Sequence, residues 1–191
     1  MEEKKSRVGS RVKRSRSETN GKKRAVWGWV FAIVIAVVAA FLIRAFLFEI
    51  IMVDGPSMQP TLHTDERLAV EKVTRYGGLP QRGEIIIVHY PDGTNRNYVK
   101  RAIGLPGETV EIKDSTVYID GQPLSEEYVS PDPYQDMPAV VVPENSVFVM
   151  GDNRANSMDS RMVGAIPHGQ IVGHAVAVIF PFDEWRGLNN W

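Results

Sequence analysis

The sequence predicts a mostly β protein, an antiparallel sheet or barrel-like domain preceded by one N-terminal membrane-spanning helix. Three observations predict it. Residues Ala25 to Ile43 (AVWGWVFAIVIAVVAAFLI) form 19 consecutive positions without a charge. Beyond them no 3.6-residue apolar period is sustained, and short runs rich in β-branched residues take over. Glycine and proline punctuate those runs at Gly77-Gly78, Pro91-Asp92-Gly93, Pro106-Gly107 and Asp120-Gly121.

The apolar run comes first. As a helix it spans about 28 Å, close to the hydrocarbon thickness of a bilayer. Apolar character resumes after Arg44 through Phe48, and Arg44 is placed to snorkel toward the far interface. Trp27 and Trp29 fall at the near interface, where indole rings are enriched. A cleaved signal peptide would carry a shorter apolar core ending in small residues, whereas this run ends in Arg44 and bulky side chains. Charge supplies the direction. Residues 1–24 hold ten Lys or Arg against three Glu, while the rest of the chain holds twelve basic and twenty acidic residues. By the positive-inside rule the basic tail stays cytoplasmic. The expected organisation is therefore a cytoplasmic tail over 1–24, a transmembrane helix over 25–48, and an extracytoplasmic β domain over 49–191. The tail has this topogenic role rather than one in nucleic-acid binding. There is no Cys, hence no disulfide framework and no thiolate metal site.

Nine strands are expected: Glu49–Asp54, Arg67–Val73, Glu84–Tyr90, Asn97–Ile103, Thr109–Lys113, Thr116–Asp120, Ala139–Val142, Ser146–Met150 and Ile171–Phe180. Lys113 to Thr116 reads as a hairpin turn, and Ser130 to Pro138 (SPDPYQDMP) as a Pro-rich loop. Strands of this number and spacing argue for a barrel or a sandwich.

Several chemistries are set aside by motif. His63, His89, His168 and His174 sit in no G-x-S-x-G elbow and read as surface or edge residues; none has metal-ligand spacing with a carboxylate. The residue three after Ser57 is Pro60, so the S-x-x-K arrangement is missing there. Three segments remain. In Gly55-Pro56-Ser57-Met58-Gln59-Pro60-Thr61, Gly and two Pro fix the backbone around a small hydroxyl residue; alone, it reads equally as a turn. In Tyr98-Val99-Lys100-Arg101-Ala102-Ile103-Gly104-Leu105-Pro106-Gly107-Glu108, strand alternation sends Lys100 and Arg101 to opposite faces, so one of them faces the core side. A desolvated Lys loses its charge more readily and becomes an amine able to take a proton from a serine. In Gly151-Asp152-Asn153-Arg154-Ala155-Asn156-Ser157-Met158-Asp159-Ser160-Arg161, a dense polar run follows an apolar strand, as either a surface loop or a scaffold for a catalytic amine.

In this order behind an N-terminal anchor, the three segments resemble the signature motifs of bacterial type I signal peptidases. RGEIIIV (Arg82–Val88) is similar to that family's strand motif between the first two, so the resemblance covers essentially the whole chain. It implies the family's mostly antiparallel β catalytic domain, in the compact form common in Gram-positive bacteria, with any cap between residues 105 and 146 small. It further implies Ser57 as nucleophile, Lys100 as general base, Ser157 hydrogen-bonded to Lys100, an Asp159–Arg161 ion pair, and Asp152 ordering the same loop. Pocket walls would come from Ile51, Val53, Met58, Leu62, Tyr98 and Val99. The implied substrates are secretory preproteins cut after small residues in an Ala-x-Ala-like pattern, with membrane lipid and the secretion translocon as further partners and no cofactor. The chain departs from some members at Gly55, where they carry a serine whose hydroxyl assists the oxyanion hole. The Ser57 backbone N–H still donates, Pro56 has no N–H, and the second donor is left open. Two alternatives stand beside this reading: a soluble Ser-Lys autoprotease of the repressor-cleaving sort, against which the apolar span argues, and a non-catalytic membrane adaptor on a decayed peptidase scaffold.

Overall fold

The computed structural model describes residues 27–41, 47–90 and 96–188 and divides the chain into two units, Met1–Ala45 and Phe46–Trp191. In the first unit a helix (α1) covers residues 27–41, its side chains exposed throughout, Trp27, Trp29 and Phe31 among them. Among the described residues no helix is long and apolar enough to cross a membrane. The basic tail over 1–24 and both ends of the expected span lie outside them. Helix does not reach residue 48 as expected, because Phe48 already opens the first strand.

The second unit is built of strands: β1 (Phe48–Met52), β2 (Arg67–Glu71), β3 (Ile85–His89), β4 (Asn97–Gly104), β5 (Thr109–Lys113), β6 (Thr116–Ile119), β7 (Gln122–Pro123), β8 (Met137–Val141), β9 (Ser146–Met150), β10 (Ile166–Pro167), β11 (Ile171–Phe180) and β12 (Arg186–Gly187), with one short helix, α2 (Ser160–Val163), between β9 and β10. All pairings are antiparallel. One sheet runs β1-β2-β11-β3-β4-β9-β10, with β12 added to β11; the other runs β7-β6-β5-β8. Both are open, β1 and β10 ending the larger one, so the barrel is not closed. Bulges interrupt the β4–β9, β11–β2 and β11–β3 ladders and add local twist.

The centre of the larger sheet follows from sequence. Ile85–Val88 of β3 and Val99–Gly104 of β4 are buried on every residue, so both faces of this pair are covered. That is what an uninterrupted apolar run such as IIIV implies. One apolar cluster joins Ile85, Ile87 and Val99 to Ile51, Val53, Met58 and Leu62. A second joins Ile86, Val88 and Ala102 to Val147, Val149 and Ile166. A third lies between the smaller sheet and Phe148 and Met150 of β9. In the β5–β6 hairpin both turn residues, Asp114 and Ser115, have positive φ (48° and 57°), as a two-residue turn matched to strand twist requires. The Pro-rich loop ends sooner than expected, since Met137 and Pro138 already belong to β8.

Candidate active site

The loop after β1 carries the first motif. Gly55 turns the chain with φ +95°, a conformation that favours glycine, and a Cβ there would meet nothing within 4 Å; it is needed for its backbone. Met58 and Leu62, 1% and 0% exposed, sink into the first cluster, with the Leu62 N–H donating to Met58 O at 2.9 Å. These anchors leave Ser57, half-buried, at the bend between them.

Lys100 reaches the same point from β4, where it lies opposite Ile86 of β3. Its Nζ donates to Ser57 Oγ at 2.8 Å and to the Val99 carbonyl at 2.9 Å. The side chain is 2% exposed. Burial pulls its pKa from 10.5 down to about 8; Asp159 and Asp152 pull the other way without reversing it, and Arg161 helps lower it. No carboxylate among the described residues is within ion-pair distance of Nζ, so the loss of hydration is only partly repaid.

Arg101 points away from Lys100, as alternation requires, and its face of β4 is covered as well. It is 0% exposed on the opposite face of β4. Its Nε and Nη2 donate to Asp152 at 2.9 and 2.6 Å, its Nη1 donates to the Gly83 carbonyl, and its guanidinium stacks 3.8 Å from the Tyr128 ring. Thr61 Oγ1 donates to the same Asp152 carboxylate at 2.5 Å. Asp152 thus ties β4 and the loop carrying Ser57 to the start of the third segment, and is more than a brace within that segment.

The third segment follows β9. Asp159, fully buried, accepts from Arg161 Nε and Nη2, each at 2.8 Å, from the Gly151 N–H at 3.0 Å, and caps α2 through the Arg161 N–H. The implied Asp159–Arg161 pair is therefore present. Ser157 differs from expectation. Its Oγ is buried, has no hydrogen-bond partner among the described residues, and makes no bond to Lys100, whose amine takes the Val99 carbonyl instead. Its hydroxyl packs against Gly151, where a Cβ would overlap both Ser157 Oγ and the Ser57 carbonyl. Arg154, 1% exposed, pairs with Glu126 at 2.5 and 2.9 Å and donates from Nε to the Gly151 carbonyl at 2.9 Å.

Of the six expected pocket residues, Ile51, Val53, Met58, Leu62 and Val99 share the first apolar cluster. Tyr98 does not join them. It points to the other face of β4, packs against the second cluster and stacks on Tyr90 at 4.1 Å. His174 is also corrected: it is buried in β11 and contacts Glu84 at 3.1 Å. Among the described residues no group of three or more His, Asp or Glu is arranged to hold a metal. Sequence reasoning did not assign Arg101, Arg154, Glu126, Thr61 or Asn153 to the site. Position alone marked Thr61, Arg101, Asn153 and Arg154, inside quoted motifs; Glu126 lies 28 residues from Arg154 and carries no local sign of its partner.

Residues 26–180 match the family model described as "Signal peptidase, peptidase S26". The chain belongs to the signal peptidase family, peptidase S26. Its enzyme class is accordingly that of signal peptidase I. Signal peptidase I of Bacillus licheniformis is 49% identical over 182 residues, covering 88% of this chain and 96% of its own. Signal peptidase I S of Bacillus subtilis (strain 168) is 44% identical over 186 residues, covering 91% of this chain and all of its own. A crystal structure of a signal peptidase I from Enterococcus faecalis V583 is 39% identical, covers 50% of this chain and 96% of that one, and superposes with a TM-score of 0.45.

Proposed function

We propose that this S26 peptidase is a membrane-anchored serine endopeptidase with a Ser57/Lys100 dyad, and that it removes signal peptides from secretory preproteins by cutting after small residues. The observation that carries the reading is the 2.8 Å contact between Lys100 Nζ and Ser57 Oγ, made by a buried amine drawn down to about 8.

The neutral amine takes the proton of Ser57 Oγ as that oxygen bonds to the scissile carbonyl carbon, and the carbonyl π pair moves onto its oxygen. The oxyanion faces the Ser57 N–H. When the intermediate collapses the C–N bond breaks, and the ammonium of Lys100 gives its proton to the leaving amine. The same amine then deprotonates the water that releases the acyl group, and Ser57 regains its hydrogen. The Val99 carbonyl is a second hydrogen-bond partner that holds Nζ in place through the cycle. Ile51 and Val99, 8% and 9% exposed, offer only an edge of apolar surface beside the dyad, which fits a small side chain better than a large one.

Residues 25–43 are proposed as the anchor, with the tail over 1–24 cytoplasmic and the β domain outside. Ser57 follows Arg44 by 13 residues in sequence. An enzyme and a preprotein confined to one bilayer meet at raised effective concentration, and the translocon's exit side is where they meet. The test is preprotein processing by the full chain in vesicles. Ser57→Ala and Lys100→Met each abolish it, and Leu in place of the small residue before the cut blocks it. Processing by either variant overturns the dyad.

A further inference from the structure

We infer that Asn153 is a positioning residue for the oxyanion site, clamping the two peptide units that flank Ser57. This rests on the dyad reading above and supplies what Gly55, lacking a side chain, leaves open.

Asn153 donates twice to the nucleophile loop. Its main-chain N–H reaches the Ser57 carbonyl at 3.1 Å, and its Nδ2 reaches the Pro56 carbonyl at 3.3 Å. The orientation of the side-chain amide is not arbitrary. Its Oδ1 accepts from the Asn156 N–H at 3.2 Å, which leaves Nδ2 facing Pro56. In a trans peptide the C=O and the N–H of the next residue point opposite ways. A donor seated on Pro56 O therefore lies behind the Pro56–Ser57 amide and leaves its Ser57 N–H aimed at the reacting carbonyl. It also polarises that amide, since hydrogen bonds in series strengthen one another. The peptide on the other side of Ser57 is fixed twice, by the Asn153 N–H and by the close packing of Gly151 on the Ser57 carbonyl. With Pro56 unable to donate, the orientation of this single N–H matters more than in a site with two side-chain and backbone donors.

Asn153→Ala removes only the Pro56 contact and the Asn156 cap; Asn153→Asp keeps the cap acceptor and loses the donor. Both are compared with the wild type on the alkaline plateau, where Lys100 is neutral in each. Outright loss of an oxyanion donor costs about 10²–10³ in rate, and loss of its support is expected to lower kcat by about tenfold with KM unchanged. A peptide aldehyde, which bonds to Ser57 and places an oxygen in the hole, weakens by the same factor in both variants. The matching peptide amide, which forms no bond, binds as before. Equal aldehyde affinity in wild type and variants, or aldehyde and amide weakening together, overturns the inference; so does a loss confined to KM. Failure of the dyad reading looks different: the wild type then forms no hemiacetal with a ¹³C-labelled aldehyde. If Asn153→Ala lowers the melting temperature, Asn153→Asp and Asn153→Ser carry the comparison at a temperature where all three are folded.

Discussion

Two cations stand side by side in β4, and the strand treats them in opposite ways. Arg101 is buried with its charge answered by Asp152, a carbonyl and an aromatic face. Lys100 is buried with two neutral oxygens and no carboxylate in contact. Guanidinium stays charged in any protein environment, so burying it requires a partner. An ammonium can shed its proton, so burying it without a partner yields a base. One strand thus produces a structural tie and a reactive amine from adjacent residues, through the chemistry of the two cations and the placement of the acids.

Exchanging chemistry at either position tests this. Lys100→Arg keeps the charge and forbids its loss; activity is expected to fall by about 10³-fold or more, the scale for removing a catalytic base, in a preprotein cleavage assay. Asp152→Ala removes the carboxylate that pairs with the buried Arg101 guanidinium. It is expected to cost about 3–5 kcal/mol in denaturant unfolding, far more than a surface pair would.

The pH dependence of stability sharpens the comparison further. Lys100 has a lower pKa folded (about 8) than its ordinary 10.5, so between those values the unfolded chain binds the extra proton. Stability therefore rises with pH across that window and is level in this respect below it, where both states are protonated. The full difference corresponds to about 3 kcal/mol at 1.36 kcal/mol per unit. Lys100→Met is expected to remove that rise in urea midpoints measured from pH 7 to 11. The smallest effect is at Ser157. Its hydroxyl is buried without a partner, so Ser157→Ala removes an unsatisfied group and is expected to change stability by no more than about 0.5 kcal/mol, with the activity limb in pH unmoved.

Much of this was legible in the chain. Nine expected strands are present, Thr109–Lys113, Ser146–Met150 and Ile171–Phe180 with the expected ends, because period-2 patterning and Gly/Pro punctuation are local signals. The two-residue strands β7, β10 and β12 carry no period to read. The motifs located Ser57 and Lys100, and alternation placed Arg101 on the far side of β4. What alternation could not tell is that β4 is covered on both faces, since that depends on β9, the loop at Tyr128 and the second cluster arriving from elsewhere in the chain. Tyr98 packs on the second cluster and not on the first for the same reason. His174 sits in IVGHAVAVIF, a run too uniformly apolar to reveal that its histidine is interior.

The central claim is that burial lowers the Lys100 amine far enough for its neutral form to act on Ser57. Its most direct measure is the titration of Lys100 Nζ, followed by heteronuclear NMR of the ¹⁵N/¹³C-labelled enzyme, with Lys100→Met to assign the signal. A midpoint at about 8 is expected, together with an acid limb of kcat/KM at the same value. A midpoint at the ordinary 10.5 would contradict the account.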